Sequence, residues 1–179
     1  MRVVVLHGAG ETPQYFWYPW LKKELTKQDI NVEIPQLPNT DNPKLAEQLE
    51  FCLQNLKLDE DTTVITHSSG TPLAFAILEQ IPNEIHKLIS VAGYFMPLSA
   101  VPNDTKNIRD TYDWQKIKEH CENFVFINSD NDPWGANTEQ GIAMQKNLGG
   151  QLIVNHEGHM GSETYNQPYK QFPELLKLI

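Results

Sequence analysis

Six short segments rich in aliphatic and β-branched residues recur along the chain. They cover residues 2–6, 31–34, 63–66, 86–91, 124–127 and 151–154. In the first segment Val3, Val4 and Val5 are apolar at successive positions, which is typical of a strand buried on both faces of a parallel sheet. The segments therefore predict about six strands in a mostly parallel sheet.

Longer segments with helical patterns separate these strands. They cover residues 15–27, 43–56, 73–78, 112–121, 138–148 and 168–178. Strands that alternate with helices form parallel βαβ units, so the sequence predicts an α/β fold with helices on both faces of the sheet. No linker, internal repeat or low-complexity segment interrupts the pattern, and we therefore expect one domain over residues 1–179.

The stretch from Thr66 to Gly70 has the pattern of a nucleophile elbow. A β-branched strand ends there, and an apolar helical pattern follows almost at once. A strand that turns directly into a helix exposes the side chain at the turn and points helix N–H groups towards it. Centred on Ser68, the stretch reads T-x-S-x-G, with threonine in place of the first glycine of G-x-S-x-G. Ser68 is therefore the candidate nucleophile, and the alternative is that Ser68 and Ser69 are ordinary helix N-caps.

A serine nucleophile needs a general base and a carboxylate that orients the base. In a sheet of this kind ligands bind beyond the carboxyl ends of the strands, where later loops offer both groups in the order Ser, Asp, His. For the base we prefer His159 to His156, because glycines on both sides free its backbone. For the carboxylate we prefer Asp132, which precedes a proline and is held extended, to Asp130, which would form a local Asx-turn.

Two backbone N–H groups are candidates for an oxyanion hole, which stabilises the charge of a tetrahedral intermediate. One belongs to Ser69, at the start of the elbow helix, and the other to Ala9, in the glycine-rich loop after the first strand. His7 precedes that loop, and we expect it to tie the loop to its neighbours.

Neither a metal ion nor a cofactor is predicted. His156 and His159 form an H-x-x-H pair, but a loop has no fixed geometry and no third ligand stands at a recognisable spacing. The glycine-rich loop 8–12 lacks both G-x-G-x-x-G and the Walker lysine, which argues against a phosphate cradle.

The net charge of −9 argues against nucleic acid and anionic membrane surfaces as partners, because both require a basic face. No apolar stretch reaches membrane-spanning length, and the run after Met1 stops at His7, too early for an export signal. Cys52 and Cys121 fit no metal or disulfide spacing, so we expect two reduced, buried thiols. These features together predict a cytoplasmic protein that acts on a small molecule.

Several segments together resemble the small, lidless serine hydrolases of the YdeN and retinoblastoma-binding-protein-nine type. The matching segments are residues 3–8, 17–21, 67–70, 132–133 and 158–159. They are spread in the right order over nearly the whole chain. The resemblance implies an α/β-hydrolase fold without a lid domain, and Ser68, Asp132 and His159 as a catalytic triad.

Two hypotheses for the function follow. The first is a serine hydrolase that cleaves small carboxylic esters, and amides less readily, through an acyl-enzyme and without a cofactor. The second is a non-catalytic binding protein on the same scaffold, because a fold does not determine a function.

Four apolar residues that follow strand ends are candidates for a small substrate-binding wall: Tyr94, Phe95, Met96 and Trp134. The alternative is that these residues pack beneath their loops. The polar stretch 94–111 is too short to cover a deep pocket, so we expect short acyl chains.

Overall fold

Every pair of neighbouring strands in the central sheet is parallel. The computed structural model describes residues 1–179. Its strands are β1 (Arg2–Leu6), β2 (Asn31–Glu33), β3 (Thr62–His67), β4 (Ile85–Val91), β5 (Cys121–Ser129) and β6 (Gln151–Asn155). They form one sheet in the order β2-β1-β3-β4-β5-β6. The predicted α/β fold with six strands is confirmed.

The strand order reverses at β1. From β1 the chain moves outward to β2, and it then returns to place β3 on the other side of β1. The loops that leave β1 and β3 therefore diverge at the same edge, and such a switch point opens a crevice for ligands. Because Leu6 pairs in register with Thr66, the loop after β1 begins beside the elbow after β3.

The connecting helices are α1 (Tyr18–Thr26), α2 (Leu45–Asn55), α3 (Gly70–Leu78), α4 (Trp114–Glu119) and α5 (Thr138–Leu148). The predicted last α-helix, over 168–178, is wrong, because only Pro173–Lys177 is helical and it is a 3₁₀ helix. Its first residue is a proline without an N–H, and the Leu175 N–H donates to the Phe172 carbonyl only three residues back.

The predicted helix over 112–121 is also shorter than expected. It ends at Glu119, because Cys121 already pairs with Ile85 at the start of β5. Tertiary pairing with β4 therefore overrides the helical pattern at this end.

Hydrophobic cores cover both faces of the sheet. Val4 and Leu6 of β1 belong to a cluster of 21 buried residues, whereas Val3 and Val5 belong to a second cluster of 20. Successive residues of a strand point to opposite faces, so both faces of β1 are covered to a similar extent. All nine residues of α3 are buried, which fixes the helix that follows the elbow.

The connection between β4 and α4, residues 92–113, contains turns and no inserted domain. Glu79, directly after α3, anchors it by accepting hydrogen bonds from Arg109 Nη1 and from the Asp113 N–H. The absence of a lid domain, predicted from the sequence, is confirmed.

Two further expectations concern thiols and membranes. Cys52 and Cys121 are buried and unpaired, as the sequence predicts. None of the helices has both the length and the apolar composition that a membrane crossing requires.

Candidate active site

Ser68 lies at the turn between β3 and α3 with a φ angle of +51°. Such a left-handed conformation is uncommon for a residue other than glycine and is the backbone signature of a nucleophile elbow. The Ser68 N–H donates to the carbonyl of Val91, 3.0 Å away, which holds the turn against β4. Ser69 occupies the N-cap position, but its side chain makes no capping hydrogen bond. The ordinary N-cap interpretation therefore does not describe what these serines do.

Gly70 and Thr66 show how the elbow tolerates its departure from G-x-S-x-G. A Cβ atom on Gly70 would lie 2.2 Å from the carbonyl oxygen of Leu6, so this is the position where only glycine fits. Thr66 is accommodated because its hydroxyl forms a 2.7 Å hydrogen bond with the Thr71 hydroxyl. The Thr71 hydroxyl in turn lies 2.9 Å from Ser90 Oγ, which completes a buried chain of three hydroxyl groups.

Asp132 and His159 are joined by a buried hydrogen bond. His159 Nδ1 donates to Asp132 Oδ2 over 2.7 Å, and the two side chains are 5% and 0% exposed. Asp132 Oδ1 accepts the N–H groups of Trp134 (2.8 Å) and Gly135 (3.2 Å), which fixes the carboxylate on its loop. With the proton on Nδ1, the His159 ring keeps Nε2 as a free proton acceptor.

The rival candidates, Asp130 and His156, pair with each other instead. His156 Nδ1 lies 2.6 Å from Asp130 Oδ1, and the side chains are 77% and 57% exposed. Asp130 thus forms a surface pair rather than the predicted Asx-turn, and such exposed pairs contribute little to stability. The structure separates the two Asp–His pairs by burial.

Gln167 holds the backbone of the His159 loop. Its Oε1 accepts the His159 N–H over 2.9 Å, and a Cβ atom on Gly158 would lie 1.9 Å from its Nε2. Gly158 has a φ of +60°, which agrees with the backbone freedom expected at this position. Gln167 was not found from the sequence, because no motif marks it.

His159 is brought to the elbow through the residue before Ser68. The rings of His67 and His159 have centroids 5.1 Å apart, and His67 Nε2 donates to the His159 carbonyl over 2.9 Å. No hydrogen bond joins the His159 ring to Ser68 Oγ, which leaves the half-exposed Ser68 hydroxyl unpaired. Such contacts are often long in unliganded active sites and shorten when substrate binds.

The two predicted oxyanion donors lie on adjacent loops at this edge of the sheet. In the loop after β1 the Gly8 N–H donates to Glu11 Oε2 and the Gly10 N–H to the Thr40 carbonyl. The Ala9 N–H between them has no protein acceptor and lies on an exposed residue. The Ser69 N–H likewise has no protein acceptor, since α3 begins one residue later.

His7 ties the loop after β1 to the chain after β2, as the sequence predicts. Its Nδ1 donates to the Gly8 carbonyl, and its Nε2 accepts the Leu37 N–H. Burial lowers the pKa of His7, which agrees with a neutral ring that donates through one nitrogen and accepts through the other.

The four predicted wall residues do not lie together. Trp134 is half-buried, with its ring centroid 6.4 Å from that of His159. Phe95 and Met96 line a separate cavity of about 450 Å³ with Trp114. Tyr94 is buried in the second core, so for this residue the alternative of packing beneath the loop is correct.

A buried acid beneath the site was missed by sequence reasoning. Glu11 accepts hydrogen bonds from Gly8 N–H (2.7 Å), from the Tyr18 hydroxyl and from His67 Nδ1, which is 3.0 Å from Oε1. Burial would raise the pKa of Glu11, but the charge of His67 and the three donors together lower it. The only sequence signal was an acidic residue inside a glycine-rich loop after a strand.

Comparison with solved structures shows that the fold is that of the α/β-hydrolases. The ydeN gene product of Bacillus subtilis superposes with a TM-score of 0.90 at 24% identity, over 99% of this chain and 95% of that one. Est1E of Butyrivibrio proteoclasticus, solved with ferulic acid bound, gives a TM-score of 0.67 at 12% identity, over 98% and 88%.

The chain belongs to the serine hydrolase family, whose sequence profile matches residues 3–179. YdeN of Bacillus subtilis (strain 168) is 29% identical over 134 residues, which cover 73% of this chain and 70% of YdeN. The serine hydrolase RBBP9 of Rattus norvegicus is 26% identical over 134 residues, 74% of this chain and 71% of the relative.

Proposed function

We propose that this hydrolase cleaves small carboxylic esters, and amides less readily, with Ser68, His159 and Asp132 as its triad. The observation that carries the proposal is the buried 2.7 Å hydrogen bond between His159 and Asp132, on loops that meet beside the strained elbow at Ser68. The carboxylate fixes the ring in the tautomer that a general base needs.

The proposed reaction has two halves. His159 Nε2 takes the Ser68 Oγ proton as the oxygen attacks the ester carbonyl carbon, and the N–H groups of Ala9 and Ser69 stabilise the oxyanion that forms. The intermediate collapses, the C–O bond to the alcohol breaks, and the alcohol leaves with the proton from His159. Water, deprotonated by the same nitrogen, then hydrolyses the acyl-enzyme to the acid and free Ser68.

A non-catalytic binding protein on the same scaffold is the alternative. Two features favour the enzyme over it: the positive φ of Ser68 and the burial of the Asp132–His159 pair. A strained backbone and a buried carboxylate both cost free energy, and catalysis gives a reason to keep them.

Hydrolysis of p-nitrophenyl acetate tests the proposal, with Ser68→Ala and Ser69→Ala as a matched pair. Loss of a triad nucleophile lowers turnover on the order of 10⁴-fold or more, so we expect Ser68→Ala to be inactive and still folded. We expect Ser69→Ala to keep most activity, because Ser69 contributes only its backbone N–H. Full activity in Ser68→Ala with loss in Ser69→Ala would move the nucleophile by one residue.

A further inference from the structure

Glu11 lies at the centre of a buried network beneath the proposed catalytic residues. Its side chain is 8% exposed and that of His67 is fully buried. The Tyr18 hydroxyl donates to Glu11 and lies 2.8 Å from His67 Nδ1. On the far side of the ring, His67 Nε2 is 2.9 Å from the carbonyl oxygen of His159.

The hydrogen-bond pattern defines the charge of His67. A carbonyl oxygen only accepts, so Nε2 carries a proton towards His159. The Tyr18 proton is donated to Glu11, so Nδ1 must carry a second proton to face the carboxylate and the phenolic oxygen. A ring with protons on both nitrogens is an imidazolium cation, and Glu11 is its counter-ion.

The electrostatic surroundings of His67 agree with this assignment. The titratable groups that act on it are Glu11, Tyr18, His159, Asp132 and, more weakly, His7. Burial lowers the pKa of His67, but Glu11, the carbonyl of His159 and the charge of Asp132 outweigh burial and raise it.

Apart from the contact with Tyr18, the contacts of this ion pair lead to residues of the proposed machinery. Glu11 binds the Gly8 N–H, one residue before the oxyanion donor Ala9. His67 immediately precedes Ser68, and its second N–H binds the backbone of His159. One buried charge pair therefore connects the oxyanion loop, the nucleophile and the base.

We propose that Glu11 is a positioning residue that, with His67 as its cation, sets the distance between the oxyanion loop, Ser68 and His159. The proposal rests on the proposed function, because it assigns Glu11 a role in that reaction. Charge-assisted hydrogen bonds are shorter and stronger than neutral ones, so the pair holds these three segments more firmly than a neutral network of the same shape.

Glu11→Gln removes only the negative charge of the side chain, whereas Glu11→Ala also removes its hydrogen bonds to Gly8, Tyr18 and His67. Glutamine keeps the shape and still accepts the Gly8 N–H, but it leaves His67 without a counter-ion. Misplacement of reacting groups by about 1 Å costs about 10²-fold in rate. We therefore expect kcat for p-nitrophenyl acetate to fall about 10-fold in Glu11→Gln and about 10²-fold in Glu11→Ala, with little change in KM.

Glu79→Gln is the matched control, because Glu79 is another largely buried acid in an ion pair, with Arg109, away from the elbow. If the loss of a buried charge lowered kcat only by destabilising the fold, Glu11→Gln and Glu79→Gln would lower kcat to a similar extent. We expect Glu79→Gln to lower the thermal midpoint while its kcat, measured well below that midpoint, stays at the wild-type value.

Ring ¹⁵N NMR of His67 supplies a readout that does not depend on turnover. We expect both nitrogens of His67 to be protonated in the wild type at neutral pH and only one in Glu11→Gln. A neutral His67 ring in the wild type, or an unchanged kcat in Glu11→Gln, would overturn this proposal while leaving the proposed function standing. Absence of ester turnover in the wild type would instead overturn the proposed function.

Discussion

At the scale of single residues, the candidate site depends on one strained serine and one glycine that nothing else can replace. Ser68 takes the positive φ that exposes its hydroxyl, and Gly70 lets α3 pass against β1. Thr66 has a larger side chain than the glycine usual at this position, but its hydroxyl is hydrogen-bonded to the Thr71 hydroxyl within the buried chain of hydroxyl groups. The elbow therefore depends on glycine at the last position of the motif, Gly70, more than at the first position, where Thr66 stands.

Gly70→Ala tests this close approach. The new Cβ would lie 2.2 Å from a backbone oxygen, so α3 or β1 must shift. We expect a loss of roughly 1–3 kcal/mol in the free energy of unfolding, together with a large loss of turnover. Urea unfolding and an ester assay on the same sample measure the two effects.

Gly149→Ala is the control for that substitution. Gly149 has a φ of +77° and a ψ of −154°, and nothing lies within 4 Å of the added Cβ, so only backbone strain of about 1–3 kcal/mol is expected. Turnover should stay at the wild-type level. Equal activity in the two variants would show that the contact at Gly70 does not shape the site.

Asp132→Asn and Asp130→Asn distinguish the two Asp–His pairs. Asparagine at 132 disfavours the Nδ1–H tautomer of His159, which Asp132 fixes by accepting a 2.7 Å hydrogen bond. We expect turnover to fall about 10⁴-fold in Asp132→Asn and to be nearly unchanged in Asp130→Asn, whose partner His156 is exposed. The reverse order in an ester assay would assign the orienting carboxylate to Asp130.

At the scale of elements, the site is assembled from the loops that leave β1, β3, β5 and β6 at one edge of the sheet. That assembly could be predicted, because strand runs such as Arg2–Leu6 are marked by apolar residues and parallel strands place their carboxyl ends together. The ends of elements could not be predicted as well. The start of β5 is decided by Cys121 pairing with β4, a partner remote in sequence.

The connection between β4 and α4 bears on substrate length. It adds no domain over the site, and Phe95 and Met96 line a cavity of about 450 Å³ whose lining includes neither His159 nor Trp134. Each methylene buried in a channel contributes about 0.8 kcal/mol, and a shallow site forgoes most of that gain. We expect kcat/KM to peak between acetyl and butyryl esters.

A series of p-nitrophenyl esters from acetyl to dodecanoyl checks this expectation. A steady rise in kcat/KM to the longest chain would mean that a deep apolar channel is present and that the interpretation of this connection is wrong.

At the scale of the whole molecule, a hydrophobic core packs on each face of the sheet. The buried Glu11–His67 pair lies at the edge of the sheet that carries the candidate site. The Glu11–His67 pair spans 56 residues of sequence, and the Glu11–Gly8 contact only three. Composition and periodicity do not distinguish a buried glutamate from a solvated one, which is why Glu11 escaped prediction whereas Ser68 did not.

The pH dependence of stability follows from that pair. The pKa of His67 is raised above its ordinary 6.5, so its contribution is complete below about pH 6.5 and is lost as the pH rises through the folded-state value. The pKa of Glu11 is lowered below its ordinary 4.5, so its contribution is complete above about pH 4.5 and is lost as the pH falls through its folded-state value. The pair stabilises most between these limits.

Urea unfolding of the wild type and Glu11→Gln at about pH 5.5 and about pH 8.5 measures this dependence. We expect the difference in free energy of unfolding between the two proteins to be larger at the lower pH. A larger difference at the higher pH would contradict an ionised pair.

The most direct test of the central claim is labelling with a fluorophosphonate, followed by intact mass and peptide mapping. An activated serine attacks phosphorus and displaces fluoride, so the proposed site predicts one adduct per chain, on Ser68. We expect no adduct in Ser68→Ala and much slower labelling in His159→Ala, with His156→Ala close to the wild type. Absence of an adduct in the folded wild type, or an adduct on Ser69, would contradict the assignment of Ser68 as the nucleophile.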